Sequence, residues 1–287
     1  MLNMIKMDLY RMFHTKALYV IWIVLAVMVF STTYIMKESF EYTQEMTEES
    51  RQDSGLAASE EENGEENVDL GMQVIIPTES GEKVTVFDLV YGNLQGKFVA
   101  LFLLIFTVLY SAADINSGYI KNIGGQVRSR SSLIISKAIS LLVYTVLTMV
   151  IYVLFQALCL RVSLGYLEWG DIALFWKYTG VQTALHYALV LIAMALAVIL
   201  KFNVVSMTIS VCLTMNMFVI FYSALDRIIE KLGVDGFQMV RHTVTGKIAL
   251  LSMNAGIKES LLALGTAAVF GIAALALTCV VFQKRDV

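Results

Sequence analysis

The amino-acid sequence predicts an all-α integral membrane protein with six transmembrane helices. Three observations carry that prediction. Of the 287 residues, 57% are apolar and only 16% charged, the mean hydropathy is +0.70, and the chain contains a single proline. Soluble domains run at roughly 45–50% apolar and about 25% charged, so a soluble enzyme, a nucleic-acid binder and a disordered scaffold are excluded. Long uninterrupted apolar helices fit instead. About 20 apolar residues cross roughly 30 Å of hydrocarbon, and six stretches approach or exceed that length: 17–36, 98–113, 133–160, 180–200, 204–225 and 261–282.

Residues 1–16 precede the first stretch. Leu2, Ile5, Leu9, Met12 and Phe13 recur at helical spacing, with Lys6 and Arg11 elsewhere on the wheel. The pattern predicts an amphipathic helix lying on the inner leaflet. The stretch 17–36 is too long for a signal peptide and no small-residue cleavage pattern follows it, so it reads as an uncleaved span.

The segment 37–93 is too long for a simple connector. Residues 43–69 are rich in Glu, Ser, Gly and Asn with little to bury, which predicts disorder. The acidic run 60–66 reads as a solvated, self-repelling linker, with an electrostatic collector for cationic peptides or divalent ions as the alternative. The runs MQVII and EKVTVF around PTESG predict two short strands about a turn.

The remaining 94–287 holds five spans. The second span is short and borrows 94–97, with Lys97 expected to snorkel outward. The third has residues to spare, which implies tilt or projection beyond the bilayer. Only 201–203 separates the fourth from the fifth, which predicts a tight helical hairpin. Segment 226–259 is amphipathic and is expected to lie on the outer membrane surface or to dip back into it.

Charge sets the orientation. Between Lys37 and Asp88 lie 15 of the 24 acidic residues and three of the 21 basic ones. Placing both termini inside puts the lysine- and arginine-rich segments, including 114–132, on the inner face and the acidic loop outside, as the positive-inside bias requires.

Motifs for chemistry are scarce. The chain has no HExxH, no G-x-S-x-G and no GxxxxGK[ST] phosphate loop, so no ATP site of that kind and no catalytic constellation is expected. Cys159, Cys212 and Cys279 all lie in apolar runs and read as small hydrophobes. No metal site is expected. Gln156, Gln182, His186 and Asn216 are the polar residues within the spans. Asn216 and His186, with Met215 and Met217, are candidates to line a pathway; interhelical hydrogen bonding and lipid contact are the plainer roles.

The loop after the second span, ADINSGYIKNIGGQVRSRSSLIISK, carries the strongest signal. Asp114 marks the end of the span, Asn116, Ser117 and Gly118 a cap or bend, and 119–123 a short helix followed by basic residues. Positive-inside bias accounts for the charge alone. The array looks built for docking.

With the preceding LFLLIFTVLYS, this loop resembles the permease subunits of ATP-binding-cassette exporters of the type-2 class, in which an apolar span and an acidic residue lead into S-G-[TY]-I-K. The MIKMDLYRMFHTKALY start and VFQKRDV end also resemble that family. The resemblance implies an inner-surface elbow helix, six spans, and outer re-entrant helices between the fifth and sixth. It implies a homo- or heterodimer of permease chains, each resting on a separate cytoplasmic ATPase that binds ATP and Mg; this chain itself carries no cofactor. Asp114, Asn116, Ser117, Gly118, Tyr119, Ile120, Lys121 and Asn122 would form part of the coupling surface. The membrane would be a bacterial cytoplasmic membrane, and the substrate an amphiphile such as a peptide, lipid or hydrophobic drug, as in antimicrobial-peptide export or immunity. Two other readings remain at this stage: a membrane sensor or assembly scaffold whose outer loop binds a ligand, and an intramembrane enzyme.

Overall fold

A computed structural model describes residues 2–53, 77–78, 82–116, 131–200, 202–231 and 236–284, with the helical backbone alone described at 39–53 and 114–116. Among these residues there is no strand. The helices are α1 (Leu2–His14), α2 (Lys16–Asp53), α3 (Val86–Gln95), α4 (Phe98–Asn116), α5 (Ser131–Leu164), α6 (Ile172–Leu200), α7 (Asn203–Thr214), α8 (Val219–Lys231), α9 (Val244–Leu250) and α10 (Ile257–Gln283), with a 3₁₀ turn at Met239–His242 before α9.

Four helices are long and apolar enough to cross a membrane: α5, α6, α10 and the Lys16–Glu38 part of α2. Two further pairs qualify only together, α3 with α4, bent by 55°, and α7 with α8, bent by 68°. The molecule is thus an all-α membrane protein with four to six membrane-crossing units. Buried side chains between α2, α4, α5 and α6 form one continuous apolar core.

Local sequence sets where each helix starts. Thr85 accepts from the Asp88 amide at 3.2 Å while Asp88 accepts from the Thr85 amide at 2.8 Å, a reciprocal cap that starts α3. The Asp171 carboxylate accepts from the amides of Ala173 and Leu174 at 2.8 and 3.0 Å and starts α6. Thr243 caps α9 through the Gly246 amide at 3.1 Å. Gly246 is required there, because a Cβ would stand 1.8 Å from the Val240 carbonyl oxygen.

Several expectations are corrected. Helix α2 runs on to Asp53, past the point where disorder was expected; 37–53 is rich in Glu, with Gln beside it, and both favour helix. Residues 54–69, including the acidic run, lie outside the described residues. The second half of the expected strand pair, EKVTVF, ends inside α3, because the Thr85–Asp88 cap outcompetes strand alternation at Val86 and Phe87. The fourth span begins at 172 rather than 180, since Phe175 and Tyr178 pack at 5.6 and 5.7 Å from Phe87 of α3. The fifth is interrupted at 215–218, and its second half, α8, continues to Lys231 with no buried residue.

Helix α10 packs mainly on α6. Its inward positions are Ser260, Ala263, Ala267, Gly271 and Thr278, along with Phe282. A Cβ on Gly271 would already meet Leu191 at 3.3 Å. Small residues at this seam let two helix backbones approach, which is how helices associate where lipid removes any hydrophobic drive.

Candidate functional site

Two helix breaks meet inside the molecule. Lys97 lies between α3 and α4 with φ of +62°, and Asn216 lies between α7 and α8 with φ of +56°. Left-handed backbone is uncommon for residues other than glycine, least so for asparagine, and lysine needs a compensating contact. That contact is the Lys97 ammonium donating to the Asn216 side-chain oxygen. The Lys97 amide also closes α3 on the Leu94 carbonyl at 3.0 Å, and its own carbonyl accepts from Leu101 at 3.1 Å as α4 begins.

Lys97 therefore does not snorkel. It is 1% exposed. The left-handed turn at the break accompanies a side chain that runs to Asn216, in the break after α7, instead of to the bilayer surface. A buried cation of this kind within apolar spans makes Lys97 a candidate functional position, because its desolvation must be met by specific partners.

A layer of buried polar side chains continues from the breaks. His186 on α6 is fully buried and within electrostatic reach of Lys97. Its Nδ1 lies 2.7 Å from the Gln182 carbonyl oxygen, which can only accept, so Nδ1 carries the proton and Nε2 presents a bare lone pair. That Nε2 has no hydrogen-bond partner. The Gln182 side chain donates to the Tyr178 hydroxyl at 2.9 Å and to the Ile248 carbonyl at 3.1 Å, which seats α9 on α6. Gln95 donates to the Ala249 carbonyl at 2.7 Å and seats the same helix on α3.

On the far side of α3, Asn93 donates to Gln156 at 3.1 Å, and Gln156 donates to Thr33 at 3.0 Å. One polar chain thus links α3, α5 and α2. Of the four predicted pathway residues, Asn216 and His186 lie about the Lys97 break. Met215 and Met217 do not; they are 38% and 52% exposed and face away from the packed interior. The alternation of side chains around the Asn216 turn sends them outward while the asparagine turns in.

A second charged cluster sits at the α1 end. Asp8, on the helix expected to lie on the inner leaflet, is buried. Its carboxylate accepts from the Ser136 hydroxyl at 2.5 Å and pairs with Arg11 at 3.7 Å. The Tyr110 hydroxyl donates to the Asp8 backbone carbonyl at 2.9 Å. The Tyr110 ring also receives the Arg11 guanidinium and the Lys137 ammonium, 5.6 and 5.0 Å from its centroid. Helix α1 is thereby fixed to the end of α4 and the start of α5, the two helices that bracket 117–130. Of the predicted coupling residues, Asp114 and Asn116 belong to the last turn of α4; Ser117, Gly118, Tyr119, Ile120, Lys121 and Asn122 lie outside the described residues.

At the opposite end, Lys83 pairs with Glu168 at 2.8 Å, beside the bond from the Val86 amide to the Glu168 carbonyl, also 2.8 Å. The bond and charge of Glu168 raise the Lys83 pKa above its ordinary 10.5. Among the described residues no three His, Cys, Asp or Glu side chains gather as a metal site would require.

Neither Lys97 nor Asp8 was singled out from sequence as a site residue. No protein-family model matches the chain, and no curated protein matches it either.

Proposed function

We propose that this chain is the membrane subunit of an ATP-binding-cassette exporter of the type-2 class. Each bent pair then counts as one span, giving six, with both termini on the cytoplasmic side of a bacterial cytoplasmic membrane. Helix α1 is the elbow helix, and the segment from α8 to α9 forms the outer surface or re-entrant element. Two such chains, identical or not, pair across a pathway, and each rests on a separate ATPase subunit that binds ATP and Mg. The substrate is an amphiphile: a peptide, a lipid or a hydrophobic drug.

The observation that best supports this reading is the Asp8 cluster. In an exporter, the elbow helix and the coupling loop must move with the ATPase as one body. Asp8 ties α1 to the two helices that lead into and out of 117–130, the loop whose sequence resembles the coupling surface. Closure of the ATPases would be delivered to the base of α4 and carried along it to the Lys97 break, where the 55° bend offers a place for the angle to change. Lys97, Asn216 and His186 then belong to the pathway wall, and the outward-facing Met215 and Met217 meet lipid, substrate or the second subunit.

Affinity purification from native membranes under mild extraction tests the proposal. A stoichiometric ATPase subunit that is lost on Tyr119→Ala with Lys121→Ala supports it. Recovery of the chain without any ATPase overturns it and leaves a sensor or scaffold.

A further inference from the structure

We infer that a groove along α10 is a seat for an anionic phospholipid in the leaflet at the end opposite α1. The groove encloses about 660 Å³ and follows one face of the helix from Lys258 to Phe270. Twelve residues of helix rise roughly 18 Å, close to the depth of one leaflet, about half of the 30 Å hydrocarbon thickness. Its two ends differ in chemistry. Lys258 and His242 stand at the rim, and Leu261, Gly265, Val269 and Phe270 continue inward as an apolar wall.

Lys258 gives the rim its positive charge. His242 is held in place by stacking on Phe237, with ring centroids 5.0 Å apart and planes 6° from parallel. Arg241 and Lys247 open into an adjoining hollow, where Glu259 accompanies them. That carboxylate shares the neighbouring hollow, and Lys258 faces the groove itself. An amphiphile with a negative head and an apolar chain matches this order of charge and grease, head at the helix start and chain alongside it.

Gly265 makes the surface concave. A Cβ there would find no atom within 4 Å, so the missing side chain serves no contact inside the protein. Glycine within a helix is unfavourable by about 1 kcal/mol relative to alanine. The position therefore carries a cost that internal packing does not explain and that a ligand lying across it would.

The test uses the full chain in nanodiscs of phosphatidylcholine containing a minority of phosphatidylglycerol, with retained lipid counted by native mass spectrometry. Wild-type protein is expected to keep phosphatidylglycerol in preference to phosphatidylcholine. Lys258→Ala should weaken that preference about fivefold, the effect of one lysine near a membrane surface. Gly265→Leu should abolish retention while leaving the thermal midpoint unchanged or raised, because a Cβ at this exposed position meets no protein atom within 4 Å. Unaltered phosphatidylglycerol retention in Gly265→Leu would overturn the inference, as would equal retention of both lipids by wild-type protein. A changed oligomeric state in Gly265→Leu would overturn it too, since the groove would then seat a second copy of the chain.

Discussion

The Lys97 ammonium donates to the side-chain oxygen of Asn216, and each residue holds a left-handed backbone at the break of its own bent helix pair. The bond joins two interruptions that lie 119 residues apart in sequence. Its removal should expose two separable costs. Asn216→Ala loses the acceptor and adds strain at positive φ; Asn216→Gly loses the acceptor alone. A hydrogen bond to a buried charge contributes about 2 kcal/mol, and the left-handed strain of a residue with a Cβ adds about 1. Thermal unfolding in detergent should therefore rank wild type above Asn216→Gly, and Asn216→Gly above Asn216→Ala. An equal loss in both variants would show that backbone strain plays no part.

Gln156 bridges Thr33 and Asn93, so Gln156→Leu deprives two buried groups on two other helices of a partner. Hydrogen bonds between membrane helices contribute modestly, about 0.6 kcal/mol on average. The expected loss is roughly 1 kcal/mol, with a double-mutant cycle against Asn93→Leu giving a clear coupling. Additive losses in that cycle would place the two side chains in independent roles.

Asp8→Ala should release α1. The Ser136 hydroxyl loses its acceptor and the carboxylate is removed from beside Arg11. Hydrogen exchange across 2–14 is expected to rise by about tenfold or more, as the loss of a charge-assisted bond of about 1.5–3 kcal/mol implies. If the chain serves an ATPase partner, the same variant should let ATP hydrolysis proceed with transport lost. Unchanged exchange over α1 would mean that buried Met12 and the Tyr110 bond to the Asp8 backbone carbonyl, both kept in the variant, suffice to anchor the helix.

The Lys83–Glu168 pair should respond to salt before it responds to pH. Because pairing raises the Lys83 pKa above its ordinary 10.5, its contribution is fully present below that value and fades as pH climbs through the raised one. Between pH 6 and pH 9, exchange of the Val86 amide, corrected for its intrinsic rate, should stay constant. Added salt should increase it slightly, because the pair is exposed to screening. A pronounced loosening below pH 9 would assign the control of this amide to another group.

Much of this architecture is legible in the sequence because apolar length in a membrane protein is so closely tied to span position. The centres of five of the six predicted stretches fall within helices, that of the fifth falls at the break after α7, and the four polar residues picked from the spans, Gln156, Gln182, His186 and Asn216, all make or border the buried polar layer. What escaped has identifiable causes. Thr85-x-x-Asp88 is a readable helix start, yet the alternating EKVTVF carries an equally readable strand pattern, and only the reciprocal bonds decide between them. A lysine beside an apolar stretch is ordinarily its flank; that Lys97 turns inward follows from a backbone angle which no composition encodes. Asp8 finds Tyr110 and Ser136 across 102 and 128 residues, so its burial is a product of tertiary packing alone.

The seam of α10 has a consequence for how this helix can drift over generations. Toward α6 it shows Ala263, Ala267 and Gly271, where one added methyl group already crowds Leu191. Toward lipid it shows Leu261, Val269 and Ile272, for which another large apolar residue would serve equally well. Substitutions should accumulate on the second face and be purged from the first. Gly265 breaks that rule, because it faces outward where an added Cβ meets nothing within 4 Å. Lineages that nonetheless keep a glycine there would be recording a restraint imposed from outside the polypeptide.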